Sequence, residues 1–263
     1  SDLLKLNNKV KKHFICNEMS MIFQDPMTFL NPVISIGKQL YDVVKVKNKT
    51  LSKYDIKKNV ERLINLVKLP NPKNILQSFP HELSGGMRQR ILIAMALAGK
   101  PKILIADEPT TSVDVTIQKE LLDLLAELQK RLRMSVLLIT HDLGIVKAFS
   151  DRVCVMNRGE LVETNDTASL FSNPKHPYTK KLIESEPGGH PYPPPDSNET
   201  VIETNNLKVW FPVKKGVFKR ITGYIKAVDD ISFRLGKGRT LGIVGESGSG
   251  KSSLVQALLR LGP

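Results

Sequence analysis

An α/β fold built on a mostly parallel sheet is predicted by three features of this sequence. They are short uninterrupted apolar runs, an amphipathic helical stretch between two of them, and a glycine-rich turn between an apolar run and a further helical segment. Lys102-Ile-Leu-Ile-Ala106, Ser135-Val-Leu-Leu-Ile139 and Thr240-Leu-Gly-Ile-Val244 have the unbroken hydrophobicity of parallel strands covered on both faces. Between the first two, Ile117, Leu121, Leu124, Leu125, Leu128 and Leu132 recur at helical spacing, with Lys, Glu and Arg on the opposite side. After the third, Ser253 to Leu259 reads as a helix, so that strand, glycine-rich loop and helix follow one another as a phosphate-binding loop requires.

Composition agrees with a globular core, at 41% hydrophobic and 25% charged residues. No apolar run approaches the roughly 18 residues that span a bilayer; the longest, around Ile91 to Ala98, stops at Gly99-Lys100-Pro101. Ser1 to Lys12 has neither the apolar centre nor the cleavage site of a signal peptide, which sets the expectation of a cytosolic protein. Cys16 and Cys154 lack the paired spacing of metal or redox centres and are expected to be buried or idle thiols. The net charge of +13 is spread over residues 45–58, 100–102 and 214–219 without interleaved stacking aromatics. A solvated surface, not nucleic-acid binding, is the expectation.

Three stretches separate by composition: residues 1–185 alternate strand and helix patterns, 186–202 are Pro/Gly-rich and read as a linker, and 203–263 resume α/β patterning.

The glycine-rich turn is Gly245-Glu246-Ser247-Gly248-Ser249-Gly250-Lys251-Ser252, with Ser253 continuing the helix. Its backbone N–H groups would curl around phosphate at a helix N-terminus, Lys251 would reach the β and γ phosphates, and the Ser252 hydroxyl would hold Mg²⁺. Asp107 and Glu108 directly follow a buried strand, at the carboxyl end where ligands bind in open α/β sheets. Asp107 suits the Mg²⁺ shell and Glu108 the polarisation of an attacking water, although two acidic residues there serve equally as solubilising caps.

Leu83-Ser84-Gly85-Gly86-Met87-Arg88-Gln89-Arg90 resembles the signature motif of ABC ATPases, and Asp107-Glu-Pro-Thr-Thr-Ser-Val-Asp114 resembles their Walker B segment and D-loop. Met21-Ile-Phe-Gln24-Asp-Pro26 resembles the Q-loop, and Thr140-His141-Asp142 the switch region. With the stretch from Phe23 to Pro32 and His176-Pro-Tyr-Thr179, the chain is similar to the oligopeptide/dipeptide/nickel importers over about 1–185 and 203–262. Phe29, where a small residue is usual, and Ser112-Val113 depart from that pattern.

The resemblance implies a P-loop NTPase fold of ABC type with a helical signature subdomain, and ATP with Mg²⁺ as ligands. Gln24 would touch Mg²⁺ or the attacking water, His141 would hold the γ-phosphate, and Glu108 would act as base. Ser84, Gly85, Gly86 and Asp114 would meet ATP bound by a second ATPase domain in a head-to-tail pair. Tyr224 is the candidate for stacking on adenine, with Phe218 and Phe211 behind it, and each of the three could equally be a packing aromatic. Transmembrane permease subunits, and indirectly a substrate-binding protein, are the implied partners at the inner face of the membrane. A soluble ABC ATPase acting on nucleic acid, or an inert nucleotide-binding fragment, is the alternative.

In a complete domain of this family the phosphate loop comes first, and here it comes last. The expectation is therefore the end of one ATPase domain followed by the start of another, that is, incomplete domains; a circular permutation is the rarer alternative. The chain is expected to close as a pseudo-permuted single domain, with Thr240 to Val244 beside Ser135 to Ile139 and Lys251 approaching Asp107 and Glu108; the rival is a two-lobed arrangement that places Gly245 to Ser252 against Ser84 to Gly86.

Overall fold

The computed structural model describes residues 3–111, 113–185, 199–215, 220–246 and 248–261. Most of the expected 186–202 linker lies outside them, as do Ser112, Phe218 and Ser247. The chain divides into two compact units, Ser1–Glu186 and Pro187–Pro263.

In the first unit the order is α1 (Asn8–Glu18), β1 (Met19–Ile22), α2 (Pro26–Phe29), α3 (Ile36–Lys47), α4 (Lys53–Leu66), α5 (Pro72–Gln77), α6 (Gly85–Leu97), β2 (Ile103–Asp107), α7 (Val115–Leu132), β3 (Ser135–Ile139), α8 (Leu143–Phe149), β4 (Arg152–Asn157), β5 (Glu160–Asp166), α9 (Thr167–Ser172) and α10 (Pro177–Glu184). The parallel sheet runs β1-β2-β3, with Met19 opposite Ile103 and Ile103 opposite Ser135. The middle strand is covered, with Leu104 and Ala106 fully buried, as its unbroken apolar run requires. The helical periodicity from Ile117 becomes α7, whose Leu121, Leu124, Leu125 and Leu128 enter the core. There they join α6, including Ile91, Ile93 and Ala94, and the inward faces of α3 and α4.

Helix starts follow side-chain chemistry. Asn7, Ser52, Ser84, Asp114 and Asp142 each accept a hydrogen bond from a backbone N–H in the first turn of the helix they precede. The antiparallel ribbon β4–β5 follows the sheet, and α10 is held to it through Glu163. That carboxylate accepts from the backbone N–H groups of Lys175 (2.9 Å) and His176 (3.0 Å). The Thr179 hydroxyl lies close without completing a geometric hydrogen bond, yet contributes most to holding the Glu163 pKa down to about 2, ahead of the two backbone donors. The His176-Pro-Tyr-Thr179 segment is thus a docking element: the His176 ring caps the first turn of α10 while its backbone engages Glu163.

The second unit is an antiparallel ribbon, β6 (Thr200–Lys215) and β7 (Arg220–Gly236), followed by α11 (Lys251–Leu258). Val209, Val228 and Leu254 form its small core.

Three expectations do not hold. β3 is not covered on both faces: it ends the sheet among the described residues, and Leu137 and Ile139 remain exposed. Thr240 to Val244 forms no strand, and among the described residues β3 has only β2 as a strand partner, so the anticipated pairing of these runs is absent. A parallel strand needs a parallel neighbour, and the second unit offers only an antiparallel ribbon; Leu241, Ile243 and Val244 remain exposed. Cys16 and Cys154 are free thiols, as expected, but exposed where burial was also considered. Among the described residues no helix is long and apolar enough to cross a membrane.

Candidate functional site

Glu108 stands one residue beyond β2, in the left-handed region at φ 43°, an unfavourable conformation for a residue with a Cβ. Its backbone N–H donates to Ile139 O across 2.8 Å, which ties it to the end of β3. Its carboxylate gathers three neighbours. Gln24 Nε2 donates to Oε2 at 2.5 Å, Thr111 Oγ1 donates to the same oxygen at 3.0 Å, and His141 Nδ1 lies 2.9 Å from Oε1. Gln24 is 84 residues away in sequence and His141 33 residues away. They meet because β1, β2 and β3 are parallel neighbours, so the loops after them open at the same end of the sheet.

These donors set the electrostatics. The hydrogen bond with His141, then that with Thr111, holds the Glu108 carboxyl below its ordinary value; the imidazole charge and the Gln24 amide add to this, and partial burial opposes it. The anion is the favoured form, and it can accept a hydrogen bond from a bound water. Beside Gln24, Phe29 stacks on Phe23 with ring centroids 3.8 Å apart, which gives the unusual aromatic at 29 a local packing role.

The other residues singled out in the first unit sit at element ends. Asp107 is the last residue of β2, opposite Ile139. Ser84 caps α6, with Gly85 and Gly86 in its first turn. A Cβ on Gly86 would lie 2.5 Å from Ile117 Cγ2, so a glycine there permits the close approach of α6 and α7. Asp114 caps α7 by accepting from the Ile117 N–H at 3.0 Å. Thr111 escaped the sequence reading, although a hydroxyl three residues beyond Glu108 in a turn was a usable signal. Glu163 escaped as well, and no local pattern marks it.

In the second unit Lys251 begins α11 and folds back over the glycine-rich loop. Its ammonium donates to Gly245 O (2.7 Å), Glu246 O (2.6 Å) and Ser249 Oγ (3.3 Å). Gly250 has φ 93°, and a Cβ there would fall 1.9 Å from Ala227 O, so no other residue fits where the loop crosses β7. Ser252 and Ser253 lie in the first turn of α11 and Gly248 in the loop; Ser247 is outside the described residues. Tyr224 is exposed on β7, with the Trp210 ring 6.0 Å away and tilted by 50°. Phe211 packs against the small core, which makes it a packing aromatic.

A family model described as "ABC transporter" matches residues 3–111 and 228–262, more than half of the chain, and one described as "Oligopeptide/dipeptide transporter, C-terminal region" matches 162–203. The peptidoglycan transport ATP-binding protein YejF of Agrobacterium fabrum is 45% identical over 260 residues, covering 99% of this chain and 47% of that protein. The glutathione import ATP-binding protein GsiA of Escherichia coli K12 is 42% identical over 286 residues, covering 99% and 46%. The chain spans about half the length of the curated relatives it matches. Among solved structures, cbiO1 from Clostridium perfringens, part of an ABC transporter complex, superposes with TM-score 0.56 at 28% identity, covering 64% of each chain. A dimeric ATP-binding cassette in a post-hydrolysis state with ADP and Pi gives 0.53 at 23% identity over 62% of this chain and 68% of that one, a likeness of fold alone. With both models matched and relatives 42–47% identical along nearly the whole of this chain, the chain belongs to the ABC transporter family of ATPases, in the oligopeptide/dipeptide branch.

Proposed function

We propose that this chain binds ATP and supports its hydrolysis to drive import of peptides or a related solute through separate membrane subunits. The observation that carries the proposal is the convergence of Gln24, Thr111 and His141 on the one carboxylate of Glu108 at the carboxyl end of a parallel sheet. In this reading Glu108 orients the attacking water and accepts its proton, while Gln24 and His141 hold the carboxylate and contact the water and the γ-phosphate. Gly245 to Ser253 wrap the phosphates through backbone N–H groups, and Lys251 exchanges its contacts with loop carbonyls for contacts with phosphate oxygens. Tyr224, the exposed candidate aromatic, stacks on the base.

Magnesium suits the available donors. Asp107, the Ser252 hydroxyl and the Gln24 amide are hard oxygen ligands, and no group of three His, Cys, Asp or Glu able to hold a metal by itself occurs among the described residues. Such a set completes its shell with phosphate oxygens and water; when bound, the ion supplies charge neutralisation on the phosphates.

The two units are read as consecutive pieces of two ATPase domains in a longer polypeptide: 1–185 ends the first, 203–263 begins the second, and 186–202 joins them. The phosphate loop coming last and the coverage of about half of each relative support this. Glu108 and Lys251 then serve different nucleotides. Ser84, Gly85, Gly86 and Asp114 face ATP held by the opposing domain of a head-to-tail pair, and permease subunits keep the assembly at the inner face of the membrane, supplied by a substrate-binding protein. The test is ATP turnover by the longer polypeptide with and without its membrane subunits, beside nucleic-acid binding across a salt series. Turnover stimulated by the membrane subunits is expected. Sub-micromolar, salt-dependent DNA or RNA binding with no response to those subunits overturns the assignment.

A further inference from the structure

We propose that Thr111 is a positioning residue for Glu108, fastening its carboxylate to the loop that leads into α7. The inference rests on the reading of Glu108 as the group that orients the attacking water. Thr111 engages Glu108 twice: its backbone N–H donates to Glu108 O at 3.3 Å, closing a turn, and its hydroxyl donates to Oε2 at 3.0 Å. Oε2 is also the oxygen that receives Gln24 Nε2. Because the Glu108 backbone is held at φ 43°, its side chain leaves the strand end in a direction ordinary β geometry does not provide. Gln24 and His141 reach it from the loops after β1 and β3, whereas Thr111 alone of the three comes from the segment that follows Glu108 itself. That segment ends at Asp114, the cap of α7, and α7 meets the first turn of α6 at Gly86. The Thr111 hydroxyl thus ties the Glu108 carboxylate to the turn that follows it, beside the ties from Gln24 and His141.

The experiment compares Thr111→Val, which keeps the shape and removes the hydroxyl, with Thr111→Ser, which keeps the hydroxyl. Crystal structures of the full chain carrying each substitution read the position of Glu108 directly, and steady-state ATP hydrolysis by the longer polypeptide with both complete ATPase domains reads its consequence. With Val, the carboxylate leaves Gln24 and kcat falls about tenfold with KM unchanged, the effect of a misplaced group of order an ångström or less. Ser restores both readouts. A Val variant whose Glu108 still contacts Gln24 and His141 as before overturns the proposal whatever its rate. A longer polypeptide, carrying both complete ATPase domains, that turns over no ATP with wild-type Glu108 sinks the functional reading of Glu108, and the crystal comparison then still decides whether Thr111 holds it.

Discussion

Gly86→Ala isolates the contact between the start of α6 and α7. The added methyl carbon would sit 2.5 Å from Ile117 Cγ2, about 1 Å inside ordinary van der Waals contact. Ile117 cannot swing its Cγ2 away, because a β-branched side chain on a helix has one strongly preferred χ1. The helices must separate or the side chain must leave its rotamer, at about 1–3 kcal/mol. Helix propensity offsets up to ~1 kcal/mol, since alanine replaces glycine in a helical turn. The expected net loss is therefore about 0–3 kcal/mol. Removing the obstacle inverts the sign: in an Ile117→Ala background the same Gly86→Ala substitution is neutral or stabilises by up to ~1 kcal/mol. Urea denaturation followed by far-UV circular dichroism is the suitable assay, because the helices lie mostly in the first unit while the single tryptophan, Trp210, lies in the second. Equal effects of Gly86→Ala in the two backgrounds would refute the clash argument.

Glu108→Gln should keep ATP binding and abolish turnover at the site it serves, because the amide preserves shape while removing the proton acceptor; single-turnover hydrolysis at the wild-type rate would count against that role. Lys251→Ala should raise the Kd for ATP by tenfold or more at the glycine-rich loop, measured by calorimetry with the base-free ligand tripolyphosphate as a control, and unchanged affinity would reject the phosphate-loop assignment. Glu163, whose folded pKa is depressed from 4.5 to about 2, contributes stability present above about pH 4.5 and lost as pH falls toward 2. Protection factors of the Lys175 and His176 amides, relative to intrinsic exchange at each pH, should fall on acidification through that window, and Glu163→Gln should remove the dependence; protection that is flat with pH in the wild type would show that the carboxylate is not what holds α10.

The sequence by itself determined β2, β3, α7 and α11 as elements, and marked the residues at their ends as candidates. The runs at 102–106 and 135–139 became β2 and β3, and the periodicity from Ile117 became α7, because strand and helix periods are local properties of the chain; how far each is covered was not local, since Leu104 is buried while Leu137 and Ile139 are exposed. The caps formed by Ser84 and Asp114 are equally local, since capping needs only an oxygen one turn from its donor. Only the tertiary structure decided that Gln24 and His141 meet at Glu108, because strand order and not sequence distance sets which loops share a sheet end. It also decided that Thr111 belongs to that cluster and that Glu163 anchors the His176-Pro-Tyr-Thr179 segment, contacts that depend on a left-handed backbone at 108 and on the docking of α10. The run at 240–244 marks the boundary between the two kinds of information. Its composition is that of a buried parallel strand, but strand character is completed only by a neighbour, and the unit that contains it supplies no parallel edge.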